Sequence, residues 1–365
     1  MAEIRVENLH KAFGDFIAVR DSSFTVAAGT FFCLLGPSGC GKTTTMRMIA
    51  GLELPTSGRI RLDGEDVTYR RAAERDIAFV FQMFALYPHM NVRANIAFPL
   101  KSQGVSRGEI RRRVEETARI LRISHLLDRS VSGLSGGDRQ RVALGRAIVR
   151  EPRAFMMDEP LGALDSEFRA LMCAELRALH DRLKATTVYV THDQLEAMAL
   201  GDTIAVMNTG VVEQLGPPQE IYDRPASLFV ADFIGSPAMN FVPFAGPLAR
   251  GAGVVQVEGT SVGVPAVSEE VGDAELVLGV RPEHVRLDDA APLRARVFGV
   301  EYMGTTQIVT LELPSGTRLR ARVAADLPAR AGDQVGLALR TERLSLFRRS
   351  NGRAIRTALH EMRGG

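Results

Sequence analysis

Residues 1–235 alternate short apolar runs with stretches of helical periodicity. Ile4-Arg5-Val6 opens an alternating strand, whereas Phe31 to Leu35 is apolar at every position, as a strand buried on both faces must be. A glycine-rich turn follows it at once, and Lys42 to Ala50 then reads as a helix stopped by Gly51. Ile77 to Phe81, Ala154 to Met157 and Thr187 to Val190 are further buried strands. Ile110, Val114, Ala118 and Leu121 fall on one face of a helix, and Arg139 to Arg150 is helical, with Val142, Leu144, Ala147 and Ile148 available for burial. This alternation predicts an α/β domain over 1–235.

From residue 236 the period changes to two. Val309, Leu311 and Leu313 alternate, Pro314-Ser315-Gly316 turns the chain, and Leu319, Ala321 and Val323 alternate again. Val335, Leu337 and Leu339 repeat the pattern, as do Leu344 and Leu346. The reading is a small antiparallel, barrel-like β domain over 236–365, with the boundary near Ile234-Gly235-Ser236-Pro237. The basic tail, Arg348 to Gly365, is expected to fray.

The 365 residues suit two domains, and 45% hydrophobic with 24% charged residues is ordinary for folded chains. A net charge of +2 gives no global attraction to nucleic acid, and none is expected as a partner. The Arg111-Arg112-Arg113 cluster reads as a solvated helix face. Three scattered cysteines, Cys33, Cys40 and Cys173, favour a reducing compartment over a disulfide framework. No signal-peptide core opens the sequence, and no uncharged apolar run reaches the roughly 18 residues of a membrane span. The expectation is a soluble chain that serves a membrane process, if any, from the cytoplasmic face through a partner.

Gly36-Pro37-Ser38-Gly39-Cys40-Gly41-Lys42-Thr43 matches the phosphate-loop pattern G-x-x-x-x-G-K-[ST], with a buried strand before it and a helix after it. Glycines let successive backbone N–H groups curl round a phosphate, and the helix N-terminus adds positive potential. Lys42 is assigned to the β- and γ-phosphates and the Thr43 hydroxyl to Mg²⁺, with Thr44 completing the binding segment. The ligand is thus a nucleoside triphosphate with its metal. Asp158 ends the strand Phe155-Met156-Met157, where a carboxylate holds the metal's water shell. Glu159 follows, placed to take a proton from water attacking the γ-phosphate.

Leu134-Ser135-Gly136-Gly137 precedes a helix and makes a second glycine-rich anion site. One phosphate loop does not need two. The economical explanation is that Ser135, Gly136 and Gly137, with Asp138 beside them, serve the nucleotide held by another copy, in a symmetric pair.

These residues resemble the ATP-binding subunits of ABC transporters. The phosphate loop, Gln82, Leu134 to Gly137, Asp158-Glu159, Leu164-Asp165 and His192 occur in that family's order. Gly279-Val280-Arg281-Pro282-Glu283-His284 and Ser236-Pro237-Ala238-Met239-Asn240 resemble the accessory domain of the sugar-importer ATPases, the maltose and glycerol-phosphate branch. The resemblance implies that Phe13 stacks on adenine, that Gln82 reaches Mg²⁺ and the attacking water, and that His192 contacts the γ-phosphate and orients Glu159. It implies a homodimer with two membrane permease subunits, contacted near Phe84 to Met90, and a periplasmic or extracellular solute-binding protein. It also places the chain peripherally on the cytoplasmic face of the membrane. The implied solute is a carbohydrate or glycerol phosphate, with polyamine and ferric iron as rivals. A non-transport ABC ATPase and a small-molecule kinase are the other classes. The short interval from Gln82 to Ser135 speaks against the first, the second anion site against the other. Two departures stand out: Asp138 replaces a usual glutamine, and Gly162-Ala163 replaces a commoner serine-containing pair.

Overall fold

The structure, a computed structural model, describes residues 2–81, 85–162 and 166–361. It begins with β1 (Ile4–Phe13), β2 (Phe16–Val26), β3 (Phe31–Leu35) and α1 (Lys42–Ala50). β4 (Ser57–Leu62), β5 (Glu65–Asp66) and β6 (Ile77–Val80) follow, then α2 (Val92–Ser102), α3 (Arg107–Ile120) and α4 (Gly136–Ile148). Next come β7 (Ala154–Asp158), α5 (Ser166–Leu183), β8 (Thr187–Thr191), α6 (Gln194–Leu200), β9 (Thr203–Asn208) and β10 (Val211–Gly216).

Two sheets result: antiparallel β2-β1-β4-β5, and β10-β9-β3-β8-β7-β6, in which all but β10 run parallel. Parallel strands are covered on both faces, which is why their sequences are apolar runs rather than alternations. Phe32, Leu34, Met156, Val188 and Val190 share one core with Met46, Met48 and Ile49 of α1 and with Ile4, Val6, Ile60 and Leu62 of the antiparallel sheet. Phe31, Phe155 and Met157 turn to the other face, beside Leu176 and Leu179 of α5. Register then aligns the strand ends: Leu35 lies opposite Thr191, Asp158 opposite Val190 and Met157 opposite Val80. The loops leaving β3, β8, β7 and β6 therefore start at one edge, the carboxyl edge at which such sheets bind ligands.

α2, α3 and α4 pack together beside this sheet. Gly145 permits the close approach, since a Cβ there would press on Ile96 and Leu121. On α3 the basic cluster lies at solvent, where Arg112 and Arg113 both pair with Glu109.

By contacts the chain divides between Pro218 and Gln219, ahead of the Ile234–Pro237 junction read from the sequence. α7 (Pro218–Asp223) begins at this division, and α8 (Leu228–Phe233) follows. Then come β11 (Asn240–Ala245), β12 (Val254–Val257), β13 (Thr260–Gly263), β14 (Glu275–Val280) and β15 (Val285–Leu287). β16 (Leu293–Tyr302), β17 (Thr306–Glu312), β18 (Arg318–Ala324), β19 (Gln334–Leu339), β20 (Ser345–Arg348) and α9 (Ala358–Glu361) complete the chain. The strands form antiparallel sheets β11-β14-β20, β12-β13 and β15-β19-β16-β17-β18, the last barrel-like and nearly closed. The expected turn at Pro314-Ser315-Gly316 joins β17 to β18, pairing Leu311 with Leu319 and Val309 with Ala321.

The tail departs from expectation. Ile355 and Thr357 are fully buried, Arg348 pairs with Glu269 and Asp273, and Ala358–Glu361 is helical. Its arginines hid anchors that only long-range packing reveals; residues 362–365 lie outside the described part.

Arg281 explains why α8 groups with the β unit. It is 2% exposed, lies 4.1 Å from the Tyr222 ring centroid, and donates to the carbonyls of Tyr222, Ala231 and Ile234. Removing a buried charged donor strands its acceptors, so Arg281→Met is expected to cost about 3 kcal/mol in this unit. Urea unfolding followed by circular dichroism should show an earlier transition, while ATP binding persists below it. An unshifted transition would contradict this role.

Candidate nucleotide site

The phosphate loop runs from the end of β3 into α1. Gly36 lies so close to the Met207 carbonyl, and Gly41 to that of Ala18, that a Cβ on either would collide with backbone. Gly41 also takes φ of 102° at the helix start, a conformation side chains resist. Lys42 is buried, and its Nζ donates to the carbonyls of Gly36 (2.8 Å) and Pro37 (2.9 Å), which holds the ammonium inside the loop. Ser38 and Gly39 are exposed, Thr43 and Thr44 half-buried. The Cys40 side chain instead fills the core beneath, where burial pushes its thiol pKa up.

The Thr43 hydroxyl donates to Asp158 Oδ1 at 3.0 Å, joining the loop to the end of β7. Burial raises the Asp158 carboxyl above its usual range; the Thr43 hydrogen bond opposes this and neighbouring Glu159 adds to it. No group of three or more His, Cys, Asp or Glu able to hold a metal occurs among the described residues. A hydroxyl beside one carboxylate nevertheless fits Mg²⁺, a hard ion held by one or two carboxylates together with substrate phosphates. Gln82, the other expected contributor, lies outside the described residues, as do Phe84, Leu164 and Asp165.

Glu159 has φ of 42°, a left-handed conformation uncommon for non-glycine residues, and its N–H donates to the Val190 carbonyl at 3.0 Å. That bond carries the carboxylate across from β7 towards β8. Glu159 Oε2 stands 3.1 Å from His192 Nδ1, and the imidazole is 52% exposed. The structure therefore brings Thr43 to Asp158, and Glu159 to His192, at the edge where β3, β7 and β8 end.

Ser135 is the N-cap of α4, so the helix starts earlier than its sequence periodicity, at Gly136 and Gly137. Its Oγ accepts from the Asp138 N–H (3.2 Å) and donates to Asp138 Oδ2 (2.8 Å). Arg141 lies 3.5 Å from Asp138 Oδ1 and binds Glu175 at 2.9 Å. Asp138 is thus tied into its own first turn and partly neutralised. Among the described residues no hydrogen bond joins this turn to the phosphate loop.

Phe13 is 47% exposed at the β1–β2 hairpin, with the Lys11 ammonium 4.6 Å from its centroid, so the ring is free to stack. The segment Ala85 to Met90 is stapled by buried Asn95, which accepts from the Tyr87 N–H and donates to the carbonyls of Tyr87 and Met90. Phe79, Phe81, Tyr87, Phe98 and Pro99 line a groove of ≈ 500 Å³ here. Arg146 braces it by donating to the Ala85 carbonyl at 2.6 Å.

Sequence reasoning missed Asn95, Arg169 and Glu196. Glu196 lies four residues after His192 on the face of α6 that buries Ala197 and Leu200, a polar residue on a core face that shows only once the helix is oriented.

The ABC transporter family model matches residues 19–162, the MalK OB fold domain 235–285 and the TOBE domain 278–347. The chain is 46% identical to the trehalose import ATP-binding protein SugC of Mycobacterium tuberculosis, over 96% of this chain and 98% of that protein. It is 45% identical to the sn-glycerol-3-phosphate import ATP-binding protein UgpC of Ruegeria pomeroyi, over 97% and 99%. It is 46% identical to the trehalose/maltose import ATP-binding protein MalK of Thermococcus litoralis, over 97% and 100%. Among solved structures, cbiO1 of Clostridium perfringens, part of the ABC transporter complex cbiONQ, superposes with a TM-score of 0.56 at 29% identity, over 60% of this chain and 89% of that one. With its fold and its near full-length relatives agreeing, the chain belongs to the ATP-binding subunits of ABC transporters.

Proposed function

We propose that this chain is the ATP-hydrolysing motor of an importer for a carbohydrate or a glycerol phosphate. The solute class rests on relatives that carry trehalose, maltose and glycerol-phosphate import in their names. Hydrolysis rests on one observation above all: the 3.1 Å contact of His192 with Glu159, beside the 3.0 Å contact of Thr43 with Asp158. The backbone N–H groups between Gly36 and Thr44, of which Pro37 has none, and the Lys42 ammonium bind the β- and γ-phosphates, and Phe13 stacks on adenine. Glu159 takes a proton from the attacking water, and His192 orients it and reaches the γ-phosphate. Thr43, Asp158 and Gln82 would hold Mg²⁺, which with ATP bound neutralises charge on the phosphate oxygens. Two copies close so that Ser135, Gly136 and Gly137 of each meet the γ-phosphate held by the other, at the cytoplasmic face of the membrane. The segment near Phe84 to Met90, whose Tyr87 joins Phe79 and Phe81 in lining the groove, receives a short helix from a permease subunit.

Glu159→Gln keeps the shape and removes the base, so hydrolysis is expected to fall by about 10²–10⁴. ATP binding survives and a closed dimer accumulates, visible by size-exclusion chromatography with ATP and Mg²⁺. Parental turnover would remove Glu159 from its role.

The Asp138 carboxylate stabilises the start of α4 and engages the Ser135 hydroxyl at all times, but adds like charge near ATP only on closure. Closing against it costs on the order of 1 kcal/mol, and Arg141 keeps this from being larger. Asp138→Gln should lower the apparent KM for ATP by about fivefold, an effect that shrinks as salt rises, and slightly lower apo stability. A raised or unchanged KM in ATPase titrations would mean the carboxylate never approaches nucleotide.

Leu86 is half-buried in the stapled segment beside the groove. Leu86→Glu should leave ATP binding and basal hydrolysis near parental and abolish transport and permease co-purification. Full assembly and transport in that variant would move the partner surface elsewhere.

A further inference from the structure

Glu196 is a carboxylate only 4% exposed, on the inner face of α6. A buried charge is costly unless it is bonded. Its Oε2 accepts from the Tyr189 hydroxyl (2.8 Å) and the Thr191 hydroxyl (2.7 Å), both on β8. Arg169, in the first turn of α5, approaches Oε1 with Nε at 3.5 Å and donates from Nη1 to Asp193 Oδ2 at 2.8 Å. The other oxygen of Asp193 caps α6 by accepting from the N–H groups of Leu195 and Glu196. The Asp193 N–H in turn donates to the Thr191 hydroxyl at 2.9 Å.

The residues on both sides of His192, Thr191 and Asp193, are therefore fixed to one cluster drawn from β8, α6 and α5. The His192 side chain projects from this turn to stand 3.1 Å from Glu159. Packing alone does not call for this arrangement, because a well-fitted apolar side chain is often as stable as a buried ionic group. What the cluster adds is a fixed geometry for one turn.

We propose that Arg169 and Glu196 are positioning residues for hydrolysis: they clamp the turn that carries His192 so that its Nδ1 meets Glu159. The inference rests on the hydrolytic roles proposed for Glu159 and His192. Neither Arg169 nor Glu196 touches nucleotide; both act through the histidine, where displacements of an ångström cost large factors in rate.

The test uses the full chain and measures single-turnover hydrolysis together with affinity for a fluorescent ATP analogue. Arg169→Met should lower the hydrolysis rate on the order of 10- to 100-fold with affinity within about twofold of parental. Arg169→Lys, which keeps a cation, should recover part of the loss. In a His192→Ala background, Arg169→Met should bring no further loss, since a residue acting through His192 has nothing left to position. Tyr189→Phe deletes one hydrogen bond at constant shape and covers the case in which Arg169→Met does not fold; it should slow hydrolysis several-fold beside His192 and not beside Ala. Equal losses in both backgrounds would overturn the proposal and leave a structural cluster. So would a parental rate in Tyr189→Phe and Arg169→Met, or a loss carried wholly by ATP affinity. If His192→Ala itself turned over at the parental rate, the site reading would fall, and this inference with it.

Discussion

The register of parallel β3, β8 and β7 is the constraint on which the site depends. Leu35, Thr191 and Asp158 end their strands side by side because the hydrogen-bond ladder leaves them no other alignment. The phosphate loop, the carboxylates and the histidine each begin within a residue or two of those ends. A slip of one residue would exchange the side chains that each strand sends to its two cores and shift the strand ends by about 3.3 Å, and so disturb the packing and the site together. Chemistry and stability are therefore secured by the same apolar runs.

Buried polar groups then fix what the sheet only brings near. Arg75, with no exposed surface, donates to the carbonyls of Met48 and Ile49 at the end of α1 and to that of Thr68. It satisfies the helix end opposite the phosphate loop, so that helix is anchored at its far end by a charge and at its near end by glycine. Arg281 treats the carbonyls at the end of α8 in the same way, and Glu196 fixes the turn at His192. In each case a charged side chain leaves water to meet groups that need partners, backbone carbonyls for the two arginines and two hydroxyls with the Arg169 guanidinium for Glu196.

What was legible in the sequence follows from range. β3 and α1 could be bounded to the residue because an apolar run, three glycines in the turn and Gly51 are local signals. The partners Thr43–Asp158 and Glu159–His192 lie far apart in sequence. Thr43 and Asp158 are each assigned to the metal from their own motifs, His192 is placed by Glu159 only through the resemblance, and the register supplies the physical reason for both pairs. α4 begins at Gly136 rather than Arg139 because Ser135 caps it, which outweighs the poor helix propensity of two glycines. The order of the tail rests on Ile355 and on the pairs of Arg348 with Glu269 and Asp273, about 80 residues away in each case, and no local pattern carries that. Asp138 and Arg141 form a local i,i+3 pair, but the bond that ties Arg141 to Glu175 on another helix is set by packing and has no local signal.

In the proposed dimer each ATP is shared between the phosphate loop of one copy and the Ser135 turn of another. Two inactive variants test it directly: Lys42→Ala, which disables the loop, and Ser135→Arg, which blocks the turn. A mixed dimer has one composite site carrying both defects and one carrying neither. The measurement is ATP hydrolysis in a mixture of the two inactive proteins. Hydrolysis should return on mixing, in proportion to the mixed dimer formed. A mixture as inactive as its components, with mixed dimers present, would contradict it.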